Sequence, residues 1–117
     1  MSRETARLVR AETLALMDGQ PILINTAQGG LVDLDDALDA LDDGTLSGVA
    51  LDVTDPEPLP AAHPLRDHPR AIVTPHTAFH SVEATEELQR RAAEEVARAL
   101  RGEAPACPVN SIPATVS

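Results

Sequence analysis

The chain has 117 residues, an ordinary length for one domain, and 43% of them are apolar, a little below the globular average. Its 19 acidic and 9 basic side chains give a formal charge of -10. This argues against a nucleic-acid or anionic-membrane partner, because phosphate binding needs clustered Lys and Arg. Cys107 is the only cysteine, so an internal disulfide is excluded and a reducing, cytoplasmic setting is expected. No apolar run reaches the length of a signal peptide or a membrane span.

The first part of the chain predicts a helical segment, a buried strand and a second helix. Residues 4–17 carry apolar side chains that predict one or two short helices leading into a turn. The apolar run over residues 21–25, bounded by turn residues, indicates a buried strand of the parallel type. Residues 33–41 form the second predicted helix, with Asp33 or Asp35 as its N-cap and Gly44 just beyond its end.

Two further strands and a long helix are predicted in the rest of the chain. Residues 47–53 and 71–74 are short apolar segments typical of strands, and a proline-rich loop lies between them. The last helix is predicted from Val82 to Leu100, with Ala, Leu and Val on one face and charged residues on the other. This order of elements predicts an α/β fold with a parallel sheet, as the second half of a doubly wound domain.

All three predicted strands end at loops that carry candidate functional residues. Ligands of parallel sheets bind beyond the carboxyl ends of the strands, so a site is expected there. His76 can exchange a proton near neutral pH, and a carboxylate beside it, such as Glu57, would orient the imidazole for acid/base chemistry. The alternative is that both are ordinary loop residues, because the motifs Pro-Glu-Pro and Thr-Pro-His are short and common.

Other reactive side chains indicate no site. His63, His68 and His80 match no metal-ligand spacing, and the acidic helix lacks the loop and the distal glutamate of a calcium site. We therefore expect no metal, and a solvated surface is the better account of the acidic helix. No Gly-x-Ser-x-Gly motif occurs for a serine nucleophile. Cys107 is interpreted as a small buried residue or a residue of the tail.

Several motifs occur in a fixed order along the chain, and the combination is specific although no single motif is. The motifs are Glu4-Thr5-Ala6-Arg7, Leu16-Met17, Ile24 to Asp33, Ala37-Leu38, Gly48 to Val53, Asp55-Pro56-Glu57-Pro58 and Val73 to Ala78. Their order and spacing resemble the NAD-dependent D-isomer-specific 2-hydroxyacid dehydrogenases. The end of the chain, over residues 77–110, is most similar to the C-terminal binding protein and phosphoglycerate dehydrogenase-like branch.

The resemblance implies an oxidoreductase that transfers hydride between NAD and the CH–OH group of a D-2-hydroxy acid, with NADP not excluded. It implies His76 as the acid/base and Glu57 as its partner carboxylate. Gln28 stands where the family has an arginine that grips the substrate, and a neutral amide cannot offer a charged bidentate fork. The implied cofactor contacts are Thr26, Ala27, Asp52, His76, Thr77, Ala78 and Phe79.

The resemblance also implies that parts of the enzyme are absent from this sequence. Neither the Gly-x-Gly-x-x-Gly fingerprint nor the acidic residue that binds the ribose occurs. We predict that residues 1–102 are the C-terminal part of a Rossmann-type NAD-binding domain and residues 103–117 a tail, in a fragment weak or inactive alone. The expected partners are a small 2-hydroxy or 2-keto acid and a separately encoded N-terminal half or a second copy. The alternative is a non-catalytic NAD-binding or corepressor-like interaction module.

Overall fold

A three-stranded parallel sheet forms the centre of the first of two compact units, residues 1–78 and 79–117. The computed structural model describes residues 4–110. The strands are β1 (Ile22–Asn25), β2 (Gly48–Leu51) and β3 (Ala71–Val73), in the order β1-β2-β3. The helices of this unit are α1 (Ala11–Leu14) and α2 (Leu34–Asp42). The predicted α/β fold with a parallel sheet is therefore confirmed.

The two faces of the sheet differ sharply in burial. One face packs against the helices and the following loop, and its core includes Leu41, Leu51 and Leu65, which are fully buried. On the other face, the parallel register aligns Ile24 with Ala50 and Ile72. Ile22, Ile24 and Ile72 are 64%, 67% and 66% exposed. One apolar face of the sheet is thus covered and the other is open.

Helix α2 begins and ends where its capping residues predict. The side chain of Asp33, the first of the two predicted caps, accepts a hydrogen bond from Asp36 N at 3.3 Å. Gly44 lies just past the helix with φ +83°, a left-handed conformation that favours glycine. The Arg70 guanidinium donates to the carbonyls of Leu41 and Leu46, which satisfies groups at the helix end.

The proline-rich loop between β2 and β3 is anchored, although it contains no strand. Its 3-10 turn, Pro64–Arg66, is capped by His63, whose Nδ1 accepts from Leu65 N at 3.2 Å. The Nε2 atoms of His63 and His68 face Asp35 and Asp42, at 3.8 and 3.4 Å. Buried Leu59 and Leu65 add apolar anchors to the core. The loop is therefore held against α2 by polar and apolar contacts together.

The second unit contains α3 (Val82–Leu100), whose bounds match the predicted helix. The Ser81 side chain caps it by accepting from Ala84 N at 3.0 Å. No residue of α3 is buried, and Leu88 and Val96 on the predicted apolar face are each 60% exposed. Cys107 is exposed rather than buried. Within residues 4–110, no helix is long and apolar enough to cross a membrane. Residues 111–117 of the predicted tail lie outside the described residues.

Candidate active site

Three buried polar residues lie at the carboxyl ends of β1 and β2. Asn25, Asp52 and Thr54 are only 6%, 6% and 7% exposed. The Asn25 amide donates to Gln28 O at 2.8 Å and accepts from Ala27 N at 3.1 Å, which shapes the loop after β1. Asp52 N donates to Asn25 O at 3.0 Å, so the two strand ends are joined directly. Polar groups thus converge at the edge of the sheet where ligands of parallel sheets bind.

Asp52 anchors the loop that follows β3. Its Oδ1 accepts from the Thr74 hydroxyl at 2.6 Å and from Thr77 N at 2.8 Å, and its Oδ2 accepts from Ala78 N at 2.9 Å. The Thr74 hydroxyl is the main cause that lowers the pKa of Asp52, and the N–H groups of Ala78 and Thr77 act in the same direction against desolvation. The ionised carboxylate therefore holds residues 74–78 in place.

His76 occupies a strained backbone position within that loop. Its φ is +55°, in the left-handed region that few residues other than glycine adopt, although His, Asn and Asp do so more often than the rest. Such a conformation costs about 1–3 kcal/mol and persists only where surrounding contacts impose it. His76 N donates to Asp52 O at 2.8 Å, and the next two N–H groups bind the Asp52 carboxylate. The end of β2 thus fixes the backbone of His76.

The imidazole of His76 lies against the carboxylate of Glu57. Nδ1 is 2.7 Å from Glu57 Oε1, and the two side chains are 53% and 43% exposed. An ionised carboxylate only accepts hydrogen bonds, so Nδ1 carries the proton and donates. In the neutral ring Nε2 then bears the basic lone pair. This arrangement can take a proton from a hydroxyl at Nε2 while Glu57 stabilises the imidazolium that results.

A cavity of about 530 Å³ opens beside this pair, between the loop after β2 and the end of β3. Its walls include Glu57, His76, Asp52 and Thr74. Two further lining residues, Thr54 and Arg66, were not predicted from the sequence. No sequence motif marks Arg66. The contact between Asp52 and Thr74 does have a sequence signal, because the two residues directly follow neighbouring strands.

The other predicted site residues have varied surroundings. Thr26, Ala27 and Gln28 are exposed in the loop after β1, and Gln28 is not among the residues that line the cavity. Phe79 lies in the second unit, is 54% exposed and meets the ring of His80 edge to face. Among residues 4–110, no cluster of His, Cys, Asp or Glu side chains has the makings of a metal site.

Comparison with known proteins identifies the family. Residues 1–78 match the family described as D-isomer specific 2-hydroxyacid dehydrogenase, NAD binding domain. The chain belongs to this family. A glyoxylate reductase of Thermofilum pendens is 38% identical over 110 residues, which cover 94% of this chain and 32% of that protein. The recognised resemblance is therefore confirmed, and the matched region is an NAD-binding domain.

Solved structures of the family share the fold. A Thermus thermophilus protein superposes with a TM-score of 0.81 at 43% identity, covering 94% of this chain and 35% of that one. A dehydrogenase of the family from Xanthobacter autotrophicus, crystallised with NADPH, also gives 0.81, at 32% identity over 94% of this chain and 45% of that one. This confirms the Rossmann-type fold. The chain spans 19% to 32% of the length of its first curated relatives.

Proposed function

We propose that this chain supplies the acid/base part of an NAD-dependent oxidoreductase that acts on the CH–OH group of D-2-hydroxy acids. The observation that carries the proposal is the 2.7 Å contact between His76 Nδ1 and Glu57 Oε1. The contact lies at the carboxyl end of a parallel sheet, the usual ligand edge of such domains. The match to the NAD-binding domain of this dehydrogenase family supports the proposal independently.

The chemistry follows from the tautomer of His76. In the oxidation direction, Nε2 accepts the proton of the substrate hydroxyl as its carbinol carbon loses hydride and becomes a carbonyl. A bound nicotinamide supplies the acceptor for that hydride. Glu57 keeps its hydrogen bond to Nδ1 throughout and stabilises the positive ring by its charge. In the reduction direction the imidazolium of His76 returns the proton to the alkoxide oxygen.

The residues present fit the nicotinamide end of the cofactor. Asp52 Oδ2 accepts only one described hydrogen bond, and a carboxylate oxygen has room for a second donor such as a carboxamide N–H. Thr26 and Ala27 lie exposed at the end of the adjacent strand. No glycine-rich fingerprint occurs for the pyrophosphate. We therefore expect NAD or NADP to bind weakly to this chain by itself.

A second, dinucleotide-binding part is expected to complete the site. Strand β1 is an edge of the described sheet, and the face that carries Ile22, Ile24 and Ile72 is open. The superposed region includes 94% of this chain but only 35% to 45% of each relative's chain, so the relatives contain further structure. We propose that a dinucleotide-binding half pairs with β1 in parallel and covers this face. Association of two copies through the same face is the competing outcome.

Gln28 favours a second candidate function. It is exposed, neutral and outside the cavity lining, so it provides no cation for a substrate carboxylate. A chain without that interaction could serve as a non-catalytic NAD-binding or corepressor-like module. Substituting Gln28→Arg in the assembled protein separates the two. A large gain in turnover favours a weakened enzyme, and an absence of turnover both with Gln28 and with Arg at this position favours the binding module.

Reconstitution tests the main proposal. The chain is co-expressed with a fingerprint-bearing dinucleotide-binding half, and NADH oxidation is followed with glyoxylate, the substrate in the name of one relative. We expect turnover by the pair and none by the chain alone. His76→Asn should lower kcat by about 10²–10⁴-fold, because it removes the proton-transfer group. Arg91→Gln, which breaks an exposed helix ion pair, serves as the control. Association without turnover would contradict the enzyme and support the binding module.

A further inference from the structure

Arg66 differs from the other arginines of the described chain. Of the eight arginines from Arg7 to Arg101, six form ion pairs with carboxylates; they are Arg7, Arg10, Arg90, Arg91, Arg98 and Arg101. Arg70 donates to carbonyls at the end of α2. Arg66 forms no ion pair within residues 4–110, although the chain carries a charge of -10. Arg66 lines the cavity whose walls also include His76 and Glu57.

The position of Arg66 is fixed from both sides. Leu65, the preceding residue, is fully buried in the core, and Arg66 N donates to His63 O at 3.1 Å. At the other end of the side chain, Nη1 donates to Leu59 O at 2.8 Å. A guanidinium has five N–H donors, so within residues 4–110 the bond to Leu59 O uses one and leaves four for a ligand.

The charges of the cavity walls select an anion for Arg66. Both oxygens of Asp52 accept hydrogen bonds from the chain, and Glu57 is paired with His76. Among the described residues that line the cavity, Arg66 is therefore the arginine or lysine without a carboxylate partner. Guanidinium groups bind carboxylates through two parallel hydrogen bonds. A 2-hydroxy acid carries such a carboxylate one carbon from the hydroxyl that an acid/base would serve.

We propose that Arg66 binds the carboxylate of a 2-hydroxy or 2-keto acid, and that the hydroxyl or keto oxygen of this acid faces His76. This inference rests on the proposed function for the identity of the ligand. It places the cationic group that binds the substrate carboxylate in the proline-rich loop after β2, not in the loop after β1 that holds Gln28. Arg66 would then determine specificity for acids over their neutral analogues.

The test uses two small probes, one anionic and one neutral, titrated into the full chain at low ionic strength. Glycolate has the hydroxyl and the carboxylate, whereas glycolamide has the hydroxyl and a neutral amide. Binding is followed by NMR, through the Nε–Hε signal of Arg66 and the ring signals of His76. We expect glycolate to bind more tightly than glycolamide and to move both sets of signals.

Three variants decide the outcome, each checked for folding by its melting temperature. Arg66→Gln should weaken glycolate at least about tenfold, since a hydrogen bond to a charged group contributes that much, and should leave glycolamide unchanged. Arg66→Lys should recover part of the loss, and Arg91→Gln on α3 should bind like the wild type. The inference would be overturned if Arg66→Gln bound glycolate as tightly as the wild type does. It would also be overturned if the wild-type chain showed no saturable glycolate binding.

The reconstituted protein separates this inference from the proposed function. If the pair turns over glyoxylate and Arg66→Gln leaves KM and kcat unchanged, Arg66 has no such role and the dehydrogenase proposal stands. If Arg66→Gln loses glycolate binding while the pair never oxidises NADH, the acid-binding role stands and the dehydrogenase proposal fails. A rise in KM that exceeds the fall in kcat supports both.

Discussion

At the scale of single residues, Glu57 and Asp52 position His76: Glu57 binds its imidazole, and Asp52 binds the backbone of its loop. The chain order of the strand ends predicted that Glu57 and His76 lie near each other, because parallel strands end at one edge of a sheet. The left-handed backbone of His76 was not predicted, since no turn residue marks that position. Asp52 was interpreted as a cofactor ligand alone. Its role as anchor of residues 74–78 depends on three contacts across strands, which spacing along the chain does not reveal.

Substituting Asp52→Asn is expected to remove an acid-sensitive part of the stability. The folded pKa of Asp52 is lowered, chiefly by the Thr74 hydroxyl, so its stabilising effect is full above the ordinary aspartate pKa of about 3.9. The effect is lost as the pH falls through the lowered folded value. Melting temperatures should therefore favour the wild type at neutral pH, and the gap should narrow in acid.

The control for this prediction is Asp43→Asn, whose carboxylate also has a lowered pKa but receives its bonds from Thr45 in an exposed turn. It should leave the NMR signals of His76 unchanged, whereas Asp52→Asn should shift them. A gap between the wild type and Asp52→Asn that stays constant from neutral to strongly acid pH would contradict the role of Asp52 as an ionised anchor.

At the scale of elements, two loops meet at a place where only glycine fits. A Cβ on Gly29, which follows β1, would lie 2.1 Å from Thr54 O and 2.8 Å from Asp55 N. Both contacts are with the backbone of the loop that carries Glu57. The loop after β1 therefore sets the path of the loop after β2, and through it the position of the Glu57 carboxylate.

Gly29→Ala is expected to destabilise the chain and to displace Glu57. Overpacking against backbone should lower the free energy of unfolding by about 1–3 kcal/mol. Gly48→Ala is the matched control, because its Cβ would have 3.6 Å to its nearest neighbours, and it should change stability by less than about 0.5 kcal/mol. Denaturant unfolding measures both. The idea fails if the two variants unfold alike and the His76 signals stay in place.

Element types were predicted well, and their edges less so. The long helix was predicted from about Val82 to Leu100 and is confirmed at these bounds. The Ser81 side chain caps its start, and Gly102 follows its end. The second strand was predicted over residues 47–53 but ends at Leu51. The side chain of Asp52 binds the loop after β3, and the chain turns there towards the site. The caps of the long helix involve only neighbouring residues, so the sequence predicts them directly. The end of β2 depends on a contact with a segment that comes later in the chain.

At the scale of the whole molecule, the open apolar face of the sheet is the main feature. Ile22, Ile24 and Ile72 lie on it with about two thirds of their surface exposed. Burial of apolar area yields roughly 25 cal/mol per Å², so covering such a face provides a substantial driving force for association. The continuous apolar run over residues 21–25 predicted a buried strand, and for Ile22 and Ile24 this was wrong. A parallel strand is buried on both faces only where both are covered, and a single sequence does not say which face its own helices cover.

Ile24→Lys is expected to leave the chain folded and to prevent its assembly with the dinucleotide-binding half. The side chain is 67% exposed, so the change should cost the isolated chain less than about 1 kcal/mol. Leu16→Lys is the control, because Leu16 is 81% exposed and lies outside the sheet. Co-purification and sedimentation measure assembly. Unimpaired association of Ile24→Lys would show that the partner binds elsewhere.

The contacts that hold Glu57 against His76 all lie within one contiguous stretch of the chain. The groups concerned, from the Asn25 amide to the Ala78 N–H, belong to the unit of residues 1–78. Under the proposed function, recombination that keeps this stretch whole would exchange the dinucleotide-binding half, or join the stretch to another nucleotide-binding domain, without separating Glu57 from His76.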